Sequence, residues 1–349
     1  VTVTPVAESE RRVAGVPWEA LAGLAPALDG PLAEVLAGAA AERVLDRALR
    51  RLGALAGAQR AAVAEAVFGV ALWRRRLRVA LGLAGDAGAP PRLLLAALVR
   101  DLGGRAAAAA LVSLAPAALP PPRPPPAGLA DRYSLPDWLA EELRRAAGEE
   151  APALADALDR PGPVALRPNL LRTTPEALAA RLAGEGVETR PGRLVPGCLV
   201  ASGRPNVYGL RAHQEGLCEV QDEGSQLLGA LLEARPGERV LDACAGAGGK
   251  ALLLAGAVRP GGRVHAADPD AGRLQRLQVR ARRAGAGELV AVHGAAAPPA
   301  LVVDRVLVDA PCSELGALRR GPDLRWRLDP AAFAGLPALQ AEILEAGGR

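Results

Sequence analysis

Two short segments of this chain gather side chains that can do chemistry. The first is Asp242-Ala243-Cys244-Ala245-Gly246-Ala247-Gly248-Gly249-Lys250, entered from the apolar Arg239-Val240-Leu241 and left through a helix-like run from Ala251 to Val258. Its glycines let a backbone approach a ligand closely. The amides that open the following helix are donors for an anionic group. Lys250 is the single lysine among 42 Lys and Arg residues. Lysine is a compact ammonium on a flexible stem and arginine a planar fork, so a lysine surviving in an arginine-biased chain marks a position arginine would not serve. The second segment, Val306-Leu307-Val308-Asp309-Ala310-Pro311-Cys312-Ser313, sets a carboxylate and a thiol at a strand end. Proline fixes the turn between them, so both can face one pocket.

The glycine loop admits three readings. A phosphate-binding P-loop needs G-x4-G-K-[ST], and Cys244 and Ala251 occupy its first and last positions, which excludes it. A dinucleotide fingerprint is matched loosely by Gly246, Gly248 and Ala251, with Asp268 about 20 residues on for a ribose hydroxyl. The third reading is an S-adenosylmethionine site, with the loop at the methionine end and Asp268 on the ribose. The Asp309–Cys312 segment favours the third.

The elements around these segments divide the chain. Residues 17 to about 112 read as helical, with Val44, Leu45, Ala48, Leu49, Leu52 and Leu55 at helical spacing and further helices over 59–77 and 92–101. Nine arginines against Asp46 and Glu65 between Arg43 and Arg78 give this bundle a basic face that can meet a phosphate backbone or simply water. Pro116 to Pro126 is a stiff polyproline-type linker, and a short helix follows over 136–147. From Val164 the chain reads as a small α+β module. It has a strand at 164–171 and a helix opened by Thr173-Thr-Pro-Glu176, with a threonine cap, proline in the first turn and a capping box, that runs to about Ala183 and stops at Gly184. Strands at 239–244, 263–267, 288–293 and 305–309 then alternate with helices, notably 271–284. This predicts a parallel sheet in a doubly wound α/β domain.

Composition narrows the class. Half the residues are hydrophobic, the net charge is +4 and the pI about 9.2, which fits an anionic partner. The four cysteines, Cys198, Cys218, Cys244 and Cys312, form no C-x-x-C pair, and with three histidines no metal site is expected. No signal peptide and no membrane-length apolar run is evident, so a cytoplasmic location is expected; a monomer is expected as well. The chain starts at Val1 and contains no methionine; a non-standard start codon, processing or a fragment would each explain that.

At these residues the sequence resembles the bacterial 16S ribosomal RNA (cytosine-5)-methyltransferases of the Sun/Fmu type. The resemblance rests on Val220-Gln-Asp-Glu-Gly-Ser-Gln226, the Asp242–Lys250 loop, Asp309-Ala-Pro-Cys-Ser313, and Leu318-Arg-Arg-Gly-Pro-Asp323 followed by Trp326. Upstream, Leu166-Arg-Pro-Asn169 with Thr174-Pro-Glu176 is similar to the family's central module, and the helical N-terminus resembles its NusB-like RNA-binding domain. It implies a multidomain fold. An all-α NusB-like domain over 1–115, a Pro-rich linker over 116–130 and an α+β RNA-docking module over 131–215 would precede an α/β Rossmann-like methyltransferase domain over 216–349, its sheet truncated after the fourth strand.

The resemblance also implies a site. Cys244, Ala245, Gly246, Ala247, Gly248, Gly249, Lys250, Asp268 and Asp309 would bind S-adenosylmethionine. Asp309 and Cys312 would be catalytic on C5 of a cytosine in small-subunit ribosomal RNA. The matching cysteine in the family assists enzyme release. The nucleophile lies in a later Thr-Cys motif, expected here beyond Arg349, so a fragment or a pseudo-enzyme is anticipated. Three positions depart from the pattern: Gly294 for an acidic residue, Ala247 for proline and Glu314 for glycine. Two rivals stand: a non-catalytic RNA-binding member of the family, and a nicotinamide oxidoreductase built on the loose fingerprint.

Overall fold

A computed structural model describes residues 8–83, 88–103, 119–294 and 301–347. These fall into two compact units, Val1–Gly162 with Ser313–Ala331, and Pro163–Cys312 with Ala332–Arg349.

In the first unit, apolar residues at helical spacing build α1 (Glu8–Ala14), α2 (Ala25–Leu36), α3 (Ala41–Leu52), α4 (Gly57–Leu81) and α5 (Pro91–Leu102). Val44 and Ala48 lie one turn apart on the buried face of α3. α4 is buried on most of its circumference, with Val63, Val67, Val70, Trp73 and Leu77 in the core, and it ends on Gly82 at φ +72°. The stretch expected to be helical beyond Gly103 and the start of the proline run lie outside the described residues. Pro120 to Pro126 has no regular secondary structure. Then come α6 (Leu129–Arg132), α7 (Asp137–Ala147) and α8 (Ala151–Asp159).

The basic face is less bare than its sequence. Arg47 pairs with Glu34 and Arg50 with Asp46. Arg75 meets Asp131 at 2.6 Å and Asp137 at 2.7 Å, and Arg76 meets Glu10 at 2.6 Å. Arg43, Arg51 and Arg60 are exposed and make no ion pair among the described residues.

Residues 313–331 belong to this helical unit. Leu318 and Leu324 join the core formed by α6, α7 and α8. Arg325 is fully buried and donates through Nη1 to Asp159 at 2.8 Å and to the Tyr133 carbonyl at 3.2 Å. Trp326 donates its indole N–H to the Ala71 carbonyl at 2.8 Å. Asp323 accepts from the Ala41 amide at 3.2 Å. α3 has no side-chain cap at its own N-cap, Ala40, so a residue 282 positions away satisfies one of its orphan amides.

The second unit holds two sheets. β1 (Ala165–Pro168), β2 (Thr189–Pro191), β3 (Leu199–Ala201) and β4 (Cys218–Val220) form an antiparallel sheet in the order β2-β3-β1-β4. Beside it lie α9 (Pro175–Gly184) and the short α10 (Arg211–Gln214). The cap of α9 is Thr174, whose Oγ1 accepts from the Ala177 amide at 3.2 Å. The capping box expected between Thr173 and Glu176 does not form, because the helix starts one residue later. Its end also differs from expectation: Gly184 is still helical and the chain turns at Gly186, φ +81°.

After α11 (Glu223–Ala230), strands β5 (Arg239–Asp242), β6 (Arg263–Asp268), β7 (Val290–Gly294) and β8 (Arg305–Leu307) pair in parallel in the order β7-β6-β5-β8. β8 is shorter than its apolar run predicts. α12 (Gly249–Ala257) and α13 (Ala271–Ala284) pack on Val240, Val264, Ala266 and Val290. α14 (Leu336–Gly347) is tied by Gln340 Nε2 to the Pro311 carbonyl at 2.8 Å. Strand order reverses between β5 and β8, and in open parallel sheets the crevice beyond the strand ends at such a reversal is where ligands bind. Among the described residues no helix is long and apolar enough to cross a membrane.

Candidate active site

The loop between β5 and α12 leaves the sheet at that reversal. Ala243 donates its amide to Leu307 of β8 at 2.9 Å, and Ala245 donates to Ala267 of β6 at 2.9 Å. Two left-handed residues shape the turn, Gly246 at φ +53° and Gly248 at φ +89°. At Gly248 the need for glycine is double, since a Cβ would stand 2.6 Å from Leu277 Cγ.

Asp268, at the end of β6, is buried and accepts from the Gly246 amide at 2.9 Å and the Asp270 amide at 2.8 Å, one on each oxygen. It therefore splints the loop; each oxygen keeps a further lone pair for a hydroxyl donor. Lys250, in the first turn of α12, reaches across to Asp309 beyond β8, with Nζ 2.5 Å from Oδ2. The lysine is largely shielded and the aspartate is 44% exposed. The expected meeting of the glycine loop with the Asp309 segment is thus present as an ion pair. Cys312 is exposed three residues further on. Cys244 is half-buried, and burial, followed by the charges of Asp242, Asp268 and Asp309, raises its thiol pKa. That environment opposes a thiolate at Cys244. Cys198 and Cys218 are buried, with thiols pushed up by burial to about 11 and about 12.

Reasoning from sequence assigned no role to Asp242. It is 1% exposed, its carboxylate lies against the Cys244 and Ala251 backbone amides, and no side chain hydrogen-bonds to it. Burial pushes its pKa up to about 7, with Lys250 pulling the other way. Its position as the last residue of β5, directly before the glycine loop, was the available signal. Gln221, in the Val220–Gln226 segment, has a buried Oε1 without a partner, and its Nε2 lies 3.6 Å from where a Cβ on Gly249 would be. A buried carboxylate met by no side-chain hydrogen bond and an unpartnered amide oxygen beside a positive-φ glycine loop fit a ligand carrying an ammonium or a sulfonium. The residues present therefore suit the methionine end of S-adenosylmethionine. At the end of β7, Gly294 offers no side chain opposite Asp268. Glu314 sits at φ +57°, a conformation that favours glycine.

A helical N-terminal part and a parallel sheet ordered in this way, with a glycine loop after β5, define an α/β methyltransferase fold. The solved structure of PH0851 superposes with a TM-score of 0.76 over 96% of this chain and 83% of that chain at 23% identity, a likeness of fold.

Residues 229–348 match the family described as 16S rRNA methyltransferase RsmB/F, and residues 135–208 match the RsmF/B-like ferredoxin-like domain. Ribosomal RNA small subunit methyltransferase B of Xylella fastidiosa (strain 9a5c) is 38% identical over 60% of this chain and 51% of that protein. The protein of the same name from Xanthomonas campestris pv. campestris is 34% identical over 62% and 51%. The chain thus spans about half the length of the curated relatives it matches.

Proposed function

We propose that this chain carries the S-adenosylmethionine site and part of the catalytic centre of a ribosomal RNA (cytosine-5)-methyltransferase acting on the small subunit. The observation that carries the reading is the Lys250–Asp309 pair, which joins the glycine loop after β5 to the Asp-Ala-Pro-Cys turn after β8. Residues 244–250 cradle the methionine end and Asp268 takes a ribose hydroxyl. When bound, the cofactor supplies an electrophilic methyl group. Asp309 would face the cofactor and a cytosine drawn from its stack or taken from a single-stranded loop. C5 of cytosine becomes nucleophilic once a thiolate adds to C6. Once C5 carried the methyl group, with the sulfonium left as a neutral thioether, a base would remove the C5 proton and the sulfur–C6 bond would break, returning the thiolate. Cys312 serves that release. No Thr-Cys dipeptide occurs in these 349 residues, so the attacking thiol is not assigned here. The helical part, with its NusB-like resemblance, and the α+β module dock ribosomal RNA, and the expected setting is a cytoplasmic monomer.

The departures at Ala247, Gly294 and Glu314 favour a second reading, a family member that binds RNA without catalysis. Calorimetric titration with S-adenosylmethionine and, in parallel, with NAD separates the alternatives. Saturable S-adenosylmethionine binding and silence with NAD supports the cofactor site. NAD binding alone would revive an oxidoreductase, and salt-dependent RNA binding with neither ligand would leave the RNA-binding reading. Labelled methyl groups in small-subunit RNA are expected on C5 of cytosine; label in a cytosine-free RNA would contradict the assignment.

A further inference from the structure

The carbonyl of Ala247, between the two left-handed glycines, accepts from Arg280 Nη1 at 2.6 Å. Arg280 lies on α13, and its fork is held from behind. Nη2 and Nε stand 2.9 and 3.2 Å from Glu219 Oε2. Glu219 is in β4 of the antiparallel sheet, in register with Arg167 of β1, and its side chain is only 5% exposed. Its second oxygen is taken by Arg283, one turn along α13. Burial works against the Glu219 charge, and Arg280 and Arg283 override it, keeping the carboxyl below its usual range. The loop therefore meets α13 twice, through Arg280 on the Ala247 carbonyl and through Leu277 against Gly248. A charge-assisted bond to a carbonyl is among the stronger protein hydrogen bonds. A fork fixed at one edge by a buried carboxylate has less rotamer freedom left to lose at the other.

We propose that Arg280, aimed by Glu219, is a positioning residue for the glycine loop, so that loop geometry is referenced to the antiparallel sheet. The functional meaning rests on reading residues 244–250 as the S-adenosylmethionine site; the positioning itself does not.

Hydrogen exchange at the Gly246 and Gly248 amides, which donate to Asp268 and to the Ala245 carbonyl, measures loop order in the full chain without any ligand. Arg280→Met is expected to speed exchange there about tenfold, in keeping with loss of one charge-assisted bond, and Arg280→Lys is expected to recover part of the protection. Arg283→Met is the control, because it also abandons Glu219 but touches no loop carbonyl; it should leave the loop near wild type. Equal loosening by Arg283→Met, or no change with Arg280→Met, overturns the proposal. If Arg280→Met fails to fold, Arg280→Lys against Arg283→Met decides by the same comparison. Calorimetry with S-adenosylmethionine forms a separate arm, with about tenfold weaker binding expected for Arg280→Met. A wild-type chain that shows the exchange pattern but takes up no S-adenosylmethionine would sink the cofactor reading and leave the positioning role standing.

Discussion

Asp242 is the residue whose state most affects the site. An unfolded aspartate titrates near 3.9, whereas in the fold burial holds Asp242 up to about 7 despite Lys250. The folded chain therefore binds this proton more tightly than the unfolded chain. The resulting stability is present at low pH and is lost as pH rises from about 4 through about 7, at about 1.4 kcal/mol per unit of separation. Asp242→Asn removes the titration while keeping the shape. The urea midpoint of the variant relative to wild type is expected to rise between pH 5 and pH 8, because about two further pH units of the Asp242 separation are lost from wild type over that range. A separation that is the same at both pH values would refute it. A bound cation beside the carboxylate should reverse the wild-type trend, because it gives the ionised form a partner.

At the scale of elements, the segment over 313–331 depends on one fully buried ion pair. Arg325 and Asp159 are each 0% exposed, and Arg325 Nε and Nη2 and Asp159 Oδ2 find no partner. Removing one member of such a pair leaves an uncompensated charge in the core, at a cost of about 3–5 kcal/mol, whereas replacing both by apolar groups is nearly neutral. Arg325→Met should therefore destabilise the helical unit by that amount in urea denaturation, and Arg325→Met with Asp159→Leu should recover most of it. Additive losses would contradict this. The same segment shows what the sequence made legible. The four parallel strands were readable because each ends at a loop or an acidic residue, and α9 because threonine and proline mark its start. The loop was readable because its glycines and its lysine are adjacent in the chain. Asp323 capping α3, the acids that neutralise Arg75 and Arg76, and Arg280 on Ala247 were not, since those partners lie 33 to 282 positions apart. Periodicity reports on neighbours along an element and says nothing of which distant acid meets which arginine.

For the whole molecule, that pairing pattern decides how the proposed RNA binding should respond to charge. Net charge is only +4, and many arginines of the helical unit are already bound to carboxylates, so bulk basicity overstates the phosphate-binding capacity. The exposed Arg43, Arg51 and Arg60, on α3 and α4, make no ion pair among the described residues. They have least to give up in meeting a phosphate. Arg47 and Arg50 must first leave Glu34 and Asp46. A phosphate contact contributes about 0.7 to the slope of log affinity against log salt for a single strand. The triple change Arg43→Gln, Arg51→Gln and Arg60→Gln is thus expected to lower that slope by about 2 and to weaken binding of unrelated RNA sequences to a similar degree. The pair Arg47→Gln with Arg50→Gln should shift it less. Fluorescence anisotropy with a single-stranded ribosomal RNA fragment between about 50 and 200 mM salt reads the difference. An unchanged slope in the triple variant would mean that the helical face is merely solvated and that RNA is held elsewhere on the chain.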